Sequence, residues 1–467
     1  PVEDIDACAA DPATRALIVS GKTMGCFYIE SPAMRQLLLK LGVEEFEELV
    51  AASSIIRPGV AESGMMQAFI ARHRGREKPA YILPELEGLL GGTYGVMVYQ
   101  EDVIKVAHAI AGMSLGEADS LRRAMSGKSR SHGEMDKSVE EFIRRAVGRG
   151  HPEAKVRELA RQMASFAGYS FCKSHSAAFA TLSFQVAYLK AHHPAEFMAA
   201  VLTCGGGFYP SKAYVSEARR LGLTVLPPDI HEAGWEYEGH GGTLRTGFMA
   251  VRNMEKSLAE KIVEERERKP FASFLEFYTR VQPSKEVAAA LIDARAFDSF
   301  GRPPRVLRWL IEVDGKRTLM PWLAESVERE VLRGLPPLGE ESPAERLRLE
   351  EEALGFPLSG HPAALARPRC PGVLPAIRMD EMIGKRVKIL GIIVAAKRVW
   401  VKKSEQWMKF LDMEDETDAF EAVVFPQTYE RYAELTREAG PLVVTGTVKD
   451  DSGSPALEVA SLALAGR

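Results

Sequence analysis

A long segment with helical spacing, residues 164–203, constrains this chain more than any other feature. It begins with small and hydroxyl residues around Gly168, Tyr169 and Ser170 and then becomes largely apolar. Side chains that recur at roughly helical intervals predict a well-buried helix in the apolar part. These side chains are Ala177, Ala178, Leu182, Gln185, Val186, Leu189 and Lys190.

The first turn of this predicted helix carries Lys173, Ser174, His175 and Ser176. Unpaired N–H groups and the positive end of the helix dipole favour an anion at such a position, and the lysine adds a full charge. The turn therefore predicts a phosphate site. The same residues also fit an ordinary helix start, in which a serine caps the free N–H groups, the lysine is solvated and the histidine packs in the core.

Composition limits the class of protein. The chain has 467 residues, enough for about three domains, and its 46% hydrophobic and 27% charged residues are typical of a globular protein. No apolar run reaches the roughly 20 residues of a membrane span, so we expect a cytoplasmic protein without membrane contact. The five cysteines show no CxxC or Cys/His spacing, which argues against zinc and against a disulfide framework.

Charge is distributed unevenly along the chain. The formal net charge is −4, yet residues 119–190 are rich in Arg and Lys, and the acidic residues concentrate in 324–353 and 412–421. A basic region can bind nucleic acid whatever the sum over the chain. The chain begins with Pro and shows no signal-peptide pattern, so we expect a piece of a longer protein.

Local signals predict the elements around the phosphate site. Two glycines, Gly21 and Gly25, bound a predicted short strand, and Ser31 followed by Pro32 opens a helix. Residues 94–101 are strand-like, and helices are predicted over 102–111 and 116–125.

Two stretches resemble one known family. FAGYSFCKSHSAAFATLSFQVAYLKAHHPAEFMAA resembles the fingers-domain signature of the bacterial C-family replicative DNA polymerases, the DNA polymerase III alpha subunits. YGVMVYQEDVIKVAHAIAGMSLGEADSLRRAMSGK is similar to the fingers helices that approach the incoming nucleotide in that family. The resemblance implies a set of nucleotide-binding residues: Arg57, Arg122, Arg123, Lys128, Lys173, Ser174, His175 and Ser176.

Cations suit this task because phosphoryl transfer depends mainly on positioning and charge stabilisation. The alternative for Arg122, Arg123 and Lys128 is that they are solvated residues that complement a helix dipole.

The resemblance places the catalytic metal outside this chain. GKTMGCFYIESPAMRQLLLKL resembles the segment that follows the family's palm domain, whose aspartates bind Mg²⁺. Here Asp4 and Asp6 match an Asp-x-Asp only by letter, because no hydrophobic strand leads into them, and we expect a loop. The resemblance therefore implies Mg²⁺ bound by the palm, no catalytic or metal-binding residue in this chain, and no primer extension by the chain alone.

Residues 244–302 resemble the tandem helix-hairpin-helix domain of the same polymerases, which holds DNA phosphates on glycine-containing turns. This chain departs from that pattern, with Arg252-Asn253-Met254-Glu255 in the first hairpin and Arg295 in the second, where glycine is usual. DNA contact and a purely structural role both remain open for this domain.

The following residues, 303–378, resemble the family's connector. The family commonly carries a sliding-clamp peptide there, but no such peptide is recognisable. The hydrophobic cluster at 319–323 is expected to be packed in the interior.

The last part of the chain alternates at period two in the runs RVKILGIIVAAKRVWV, QWMKFLDMED, FEAVVFP and LVVTGTVKD, with a helix predicted over 427–438. This pattern favours an OB-fold barrel, which stacks single-stranded bases on aromatic residues in a basic groove. The candidate DNA-binding residues are Trp400, Lys402, Lys403, Trp407, Lys409 and Phe410. KKSEQWMKFLDMED resembles the family's OB segment, where glycine usually stands at Glu405. The alternative is a half-buried hairpin with solvated lysines.

Together these features predict a multidomain, mainly α-helical protein. The expected domains are α-helical fingers (1–230), a tandem helix-hairpin-helix domain (231–302), a connector (303–378) and a C-terminal OB-fold β-barrel (379–467). The resemblance implies part of a DNA-directed DNA polymerase that binds incoming dNTP and primer-template DNA, with single-stranded template at the OB-fold. It also implies a sliding clamp and other replisome subunits as partners. A non-catalytic DNA-binding or assembly module and an error-prone repair polymerase of the same family are the alternatives.

Overall fold

The computed structural model describes residues 2–56, 64–125, 132–167, 171–314, 321–335, 338–402 and 404–466. Three expected site residues, Arg57, Lys128 and Lys403, lie outside these ranges, as do the loop residues 168–170. The hydrophobic cluster at 319–323 lies outside the residues whose side chains are described.

The chain divides into two compact units, Pro1–Ala191 and His192–Arg467. The described part of the first unit is built from helices joined by turns. These helices are α1 Ile5–Ala10, α2 Pro12–Val19, α3 Pro32–Leu41, α4 Phe46–Ile55, α5 Met65–His73, α6 Leu86–Leu90, α7 Gln100–Ala111, α8 Leu115–Met125, α9 His132–Gly148, α10 Glu153–Ala167 and α11 Lys173–His192.

Helix α11 is the helix predicted from the organising segment, and it begins at Lys173 as expected. Its buried face, however, differs from the predicted one. The buried residues are Ser176, Ala180, Ser183, Phe184, Ala187 and Lys190, whereas Leu182 is 45% exposed. Hydroxyl groups can lie on a buried face when they find hydrogen-bond partners, so a count of apolar residues alone selected the wrong side.

The beginning of the chain also differs from its prediction. Asp4 is the N-cap of α1, and its carboxylate accepts a hydrogen bond from the Ala7 N–H (3.1 Å), so the predicted loop is a helix start. The predicted strand after Gly21 is a series of turns. Left-handed backbone conformations at Gly21, Gly25 and Tyr28 (φ 63°, 84° and 68°) are incompatible with an extended strand there.

The predicted helices at 102–111 and 116–125 are confirmed as α7 and α8. The predicted strand at 94–101 is wrong. Tyr94 adopts a left-handed conformation (φ 57°), and only one isolated parallel bridge, between Tyr99 and Phe171, forms in this stretch of the described chain.

The second unit combines helices with two sheets. Its elements are α12 Pro194–Cys204, α13 Ser211–Arg220, β1 Thr224–Leu226, β2 Glu238–His240, β3 Thr243–Arg245, α14 Lys256–Arg268, α15 Phe274–Val281, α16 Lys285–Asp293, α17 Pro304–Asp314, α18 Pro321–Arg333, α19 Pro343–Leu354, α20 Pro362–Ala366, β4 Arg386–Val401, β5 Gln406–Glu414, β6 Ala419–Val424, α21 Pro426–Tyr432, β7 Leu442–Asp451 and β8 Ser454–Leu464.

Two of the hairpin positions that depart from the family pattern have a left-handed backbone. Asn253 has φ 61° and Arg295 has φ 68°, a region that glycine enters at little cost. The Arg295 guanidinium donates from Nε to Asp298 Oδ2 (3.2 Å) and lies 3.6 Å from Glu341. The side chain that replaces glycine at this turn is therefore engaged with neighbouring carboxylates.

The C-terminal strands close into a barrel in the order β4-β5-β6-β8-β7. The core of the barrel contains Ile389, Leu411, Met413, Val444 and Leu457, all fully buried. Four of the strands match the predicted period-two runs, and the fifth, β8, was not predicted. The predicted fold class, mainly α-helical with a C-terminal β-barrel, is confirmed.

Glu405 lies in the turn between β4 and β5 and is exposed, with φ 51°. A left-handed L-residue costs about 1–2 kcal/mol, whereas glycine adds about 0.5–1 kcal/mol of unfolded-chain entropy. We expect Glu405→Gly to raise the free energy of unfolding by up to about 1 kcal/mol, measured by urea unfolding followed through tryptophan fluorescence. Glu405→Ala keeps the Cβ atom and removes the charge, and it should give no such gain. An equal increase in the free energy of unfolding in both variants would show that removal of the charge, and not relief of the left-handed backbone conformation, is responsible.

Candidate nucleotide site and nucleic-acid interface

The first turns of α7 and α11 lie side by side in the first unit. Tyr99 and Phe171 form a parallel bridge, and the Gln100 N–H donates to the Phe171 carbonyl oxygen (2.9 Å). Gln100 begins α7, and Phe171 lies two residues before the start of α11. Two helix N-termini, each with a partial positive charge, are therefore placed next to each other.

A carboxylate of the chain itself occupies the start of α11. Glu101 Oε2 accepts a hydrogen bond from the Lys173 N–H (3.1 Å), and Glu101 Oε1 accepts one from the Cys172 thiol (3.2 Å). Helix N-termini bind carboxylates for the same reason that they bind phosphates. An anion thus lies where the sequence predicted one, but it is an internal anion, and sequence reasoning did not identify Glu101. Its position in the first turn of α7 looks like ordinary dipole compensation, so no sequence signal marked it.

Lys173 carries the accessible charge of this turn. Its Nζ lies 2.8 Å from Glu47 Oε2 and 5.4 Å from the centroid of the Tyr99 ring. Burial, and then the charge of Glu47, raise the pKa of Tyr99, so this phenol stays protonated. The side chains of Lys173 and Glu47 are 44% and 68% exposed, and such surface ion pairs contribute little stability. Lys173 can exchange Glu47 for another anion at small cost.

The other three residues of the turn point to different surroundings. Ser176 is fully buried, and its hydroxyl oxygen lies 2.7 Å from that of Ser54. Ser174 is exposed, and its hydroxyl contacts the Cys172 thiol (2.8 Å). His175 is exposed, so its alternative assignment as a packed core residue is wrong. The structure therefore separates Ser176 from the exposed part of the turn.

Arg122 and Arg123 share one carboxylate. The nearest nitrogen atoms of Arg122 and Arg123 lie 2.8 and 2.7 Å from Asp119 oxygens. Burial acts to raise the pKa of Asp119, but the two guanidinium groups outweigh it and the pKa is lowered. Arg122 also donates to Gln100 Oε1 (3.4 Å), which places it at the same first turn of α7 that Lys173 contacts through Glu101. Arg123 is 71% exposed.

The candidate DNA-binding residues of the barrel lie on a two-stranded hairpin. Trp400 pairs directly with Trp407, and Arg398 pairs with Lys409, so these four side chains share one face of the hairpin. The two tryptophan rings meet edge to face at 5.1 Å, and the Arg398 guanidinium carbon lies 4.1 Å from the centroid of the Trp407 ring. Trp400 and Trp407 are 45% and 40% exposed.

Arg398 was missed by sequence reasoning, although it lies two residues before Trp400 and strand alternation would have placed it on the tryptophan face. Phe410, in contrast, pairs with Lys397 and lies on the opposite face. Lys402 is exposed in the turn. Lys409 donates from Nζ to the Thr436 carbonyl oxygen (2.7 Å) and to its hydroxyl (3.0 Å), and burial lowers its pKa. Lys409 is thus committed to the barrel, and Arg398 is the accessible cation beside the rings.

Two residues of the acidic run near this hairpin are buried. Glu414 and Asp415 are fully buried. Glu414 accepts from Arg220 (3.0 Å), and Asp415 accepts from Arg367 (2.7 Å) and from the Ala376 N–H (2.9 Å). These two negative charges are therefore neutralised inside the second unit.

The described residues contain neither a metal-binding cluster nor a membrane-spanning helix. Within the described residues there is no group of three or more His, Cys, Asp or Glu side chains arranged to hold a metal ion. No described helix is both long and apolar enough to cross a membrane.

Comparison with known proteins gave matches over most of the chain. Residues 2–150 match the model of the bacterial DNA polymerase III alpha subunit finger domain, and residues 222–307 match the model of the helix-hairpin-helix motif. The DNA polymerase III alpha subunit of Thermus aquaticus is 38% identical over 94% of this chain and 37% of its own length. That of Aquifex aeolicus (strain VF5) is 35% identical over 94% of the chain and 38% of its own length.

An error-prone DNA polymerase of Symbiobacterium thermophilum is also similar, with 32% identity over 97% of the chain and 46% of its own length. The chain therefore spans less than half the length of these relatives. The resemblance to DNA polymerase III alpha subunits that the sequence motifs indicated is confirmed.

Ser176 is buried and Ser174 is exposed, so we expect substitutions at these two serines to have different effects on stability. Ser176→Ala removes a buried hydroxyl contact to Ser54 and should lower the free energy of unfolding by about 1 kcal/mol, without changing the affinity of the chain for inorganic tripolyphosphate. Ser174→Ala, at an exposed position, should leave stability within about 0.5 kcal/mol of the parent. Urea unfolding and a tripolyphosphate titration measure the two effects. Loss of tripolyphosphate binding in a stable Ser176→Ala protein would contradict the structural assignment.

Proposed function

Because residues 2–150 belong to the finger-domain family of bacterial DNA polymerase III alpha subunits, we propose that this chain binds the triphosphate of an incoming nucleotide at the first turns of α7 and α11. The arrangement that carries the proposal is the placement of Lys173 and Arg122 at two adjacent helix N-termini. Arg123 shares the Asp119 carboxylate with Arg122. Guanidinium and ammonium groups there can form charge-assisted hydrogen bonds to phosphate oxygens.

The internal carboxylates complete this proposal. Glu47 pairs with Lys173, and Asp119 pairs with both Arg122 and Arg123. A triphosphate can replace Glu47 at Lys173, because that ion pair is exposed and solvent-screened and offers little resistance.

At the level of the whole enzyme, we place the chain in a DNA-directed DNA polymerase that also binds primer-template DNA. Its helix-hairpin-helix motif supports contact with the DNA backbone. We propose that a palm domain holds the catalytic Mg²⁺ ions, because Asp4 serves as a helix cap and no group of three or more His, Cys, Asp or Glu side chains in the described residues is arranged to hold a metal ion. Primer extension then requires a palm-containing fragment in addition to this chain.

A replicative role is supported by the similarity to DNA polymerase III alpha subunits. The similarity to an error-prone polymerase supports repair synthesis as the second candidate role. Nucleotide binding at α7 and α11 is common to both.

Binding of dATP to the chain tests the nucleotide site directly. Lys173→Ala should weaken dATP binding by about 1.5–3 kcal/mol, the contribution of a charge-assisted hydrogen bond, and Arg123→Ala should act in the same direction. Lys105→Ala is the matched control, because Lys105 is an exposed lysine on α7 beyond the first turn. Isothermal titration calorimetry gives the affinities. Equal affinities in Lys173→Ala, Arg123→Ala and the parent, all folded, would contradict the proposed site.

For the barrel, the proposed ligand is single-stranded DNA on the hairpin face formed by Arg398, Trp400 and Trp407. Two partly exposed indole rings beside a guanidinium supply the stacking surface and the charge that such binding needs. The cation that serves the phosphates is Arg398, since Lys409 is held by Thr436.

We expect the chain to bind a short oligothymidylate in a salt-dependent manner. Simultaneous Trp400→Ala and Trp407→Ala substitutions should weaken binding by about 1–3 kcal/mol per stacked base, and Arg398→Ala should reduce the salt slope by about one unit. Fluorescence anisotropy between low and physiological salt measures both quantities. The control is Lys397→Ala, because Lys397 is exposed on the face of the hairpin opposite the tryptophans. Phe410 lies on that face too, but it is half-buried, so Phe410→Ala is not a neutral control. Affinity that does not depend on salt, or a folded double variant that binds like the parent, would contradict this proposal.

A further inference from the structure

The carboxylate of Glu101 joins the first turn of α7 to the start of α11. Its Oε2 atom accepts a hydrogen bond from the Lys173 N–H (3.1 Å), and its Oε1 atom accepts one from the Cys172 thiol (3.2 Å). The first N–H groups of a helix have no partner within the helix, so a side chain or water has to accept from them. Glu101, 72 residues away in the sequence, is the acceptor for Lys173.

Two further contacts hold the same two segments together. The Gln100 N–H donates to the Phe171 carbonyl oxygen (2.9 Å), and Tyr99 and Phe171 form a parallel bridge. The Glu101 carboxylate extends this pairing to the two residues that follow Phe171, the second of which is Lys173. The place at which the Lys173 backbone enters α11 is therefore fixed by the segment that opens α7.

The ammonium group of Lys173 lies between neighbours that belong to the same arrangement. Its Nζ is 2.8 Å from Glu47 Oε2 and 5.4 Å from the centroid of the Tyr99 ring. A lysine carries its charge on a flexible four-carbon stem, so its ammonium group has a defined place only where the surroundings fix both the backbone and the stem. Because Tyr99 lies two residues before Glu101, one segment supplies both the ring beside the ammonium group and the acceptor for the backbone N–H.

The charge of Glu101 opposes the binding of a phosphate at this turn, whereas its hydrogen bond to the backbone favours it. A carboxylate repels another anion nearby, and Glu101 already occupies the Lys173 N–H, a group that phosphates also bind. A phosphate that approaches the turn therefore meets the Lys173 side chain. The two opposing effects of Glu101 can be separated by substitutions that change one and keep the other.

We propose that Glu101 is the positioning residue of the triphosphate site: it leaves contact with the phosphates to Lys173 and fixes the backbone from which the ammonium group reaches them. The inference rests on the proposed nucleotide site and adds to it the residue that prepares the site for binding. Its consequence is that removal of a negative charge together with its hydrogen bond weakens the binding of an anion, the opposite of what the loss of repulsion alone would give.

The experiment titrates the full 467-residue chain and its variants with inorganic tripolyphosphate in a calorimeter. Glu101→Ala should weaken binding about 5- to 20-fold, a part of the roughly 10- to 150-fold loss expected when the Lys173 contact itself is removed. Glu101→Gln keeps an oxygen that can accept from the Lys173 N–H and removes the charge. It should bind as tightly as the parent, or up to about fivefold more tightly.

Glu101→Asp makes the converse change. It keeps the charge, but its carboxylate is drawn back by one carbon–carbon bond, about 1.5 Å, which takes it out of hydrogen-bond range of the Lys173 N–H. It should therefore bind tripolyphosphate about 5- to 20-fold less tightly than the parent, which carries the same charge. This variant also carries the test if Glu101→Ala does not fold.

A double-mutant cycle separates action through Lys173 from a general effect on the fold. In a Lys173→Ala background the ammonium group is absent, so Glu101→Ala should cause no further loss of tripolyphosphate affinity. Glu87→Ala is the matched control, because Glu87 is an exposed carboxylate in the first turn of α6, and it should leave the affinity at the parent value. Circular dichroism checks that each variant is folded.

The outcomes distinguish the inference from the function on which it rests. Folded Glu101→Ala or Glu101→Asp proteins that bind tripolyphosphate as tightly as the parent would overturn the positioning role and leave the triphosphate site in place. An equal loss from Glu101→Ala in the parent and in the Lys173→Ala background would do the same, because such a loss does not act through the ammonium group. Failure of the parent to bind tripolyphosphate would overturn the proposed nucleotide site, and the role of Glu101 with it.

Discussion

A buried ammonium group fixes α11 against the beginning of the chain. Lys190 is 1% exposed, and its Nζ donates to the carbonyl oxygens of Lys22 (2.7 Å) and Met24 (2.8 Å). A charge can be buried only if its hydrogen-bond partners are held in place, because an unsatisfied buried ammonium costs several kcal/mol. The turn after Gly21 is thereby locked to the C-terminal part of α11. Phe27 and Tyr28, a few residues further on, meet Phe179 as a consequence of this lock.

The other end of α11 is fixed by the opposite charge. Glu101 accepts hydrogen bonds from the first N–H of the helix and from the Cys172 thiol. The helix is therefore held by the Lys190 ammonium group at its end and by the Glu101 carboxylate at its start. The difference between the two contacts lies in accessibility. The Lys190 contacts are buried, whereas the ion pair between Lys173 and Glu47 is exposed. A rigid helix with an exposed ion pair at its first turn suits ligand binding, because little free energy is lost in rearranging the protein when the ligand binds.

Sequence reasoning predicted the existence of α11, α7 and α8, the start of α11, and the β-barrel, because helical spacing and period-two alternation are local properties. It failed where the outcome depends on residues distant in sequence. Ser176 and Ser183 lie on the buried face of α11 because their hydroxyls meet Ser54 and the Phe27 carbonyl, and no local pattern encodes those partners. The predicted strand after Gly21 failed for a related reason, since the turns there are held by Lys190, far along the chain. In the barrel, alternation from Trp400 would have found Arg398, whereas the loss of Lys409 to Thr436 could be seen only in three dimensions.

The surface charge near the barrel hairpin is another property that depends on residues distant in sequence. In the sequence the run from Asp412 to Asp418 places a dense negative patch beside Trp407, which argues against a DNA-binding surface. In the fold, Glu414 and Asp415 are fully buried and paired with Arg220 and Arg367. A buried, paired carboxylate contributes little to the potential outside the protein, because the neighbouring guanidinium cancels most of its field. The run in the sequence therefore overstates the exposed negative charge, because two of its five carboxylates, Glu414 and Asp415, lie in the interior. The net charge of −4, a sum over the whole chain, does not describe the charge at the hairpin, where Arg398, Lys402 and Glu405 are exposed.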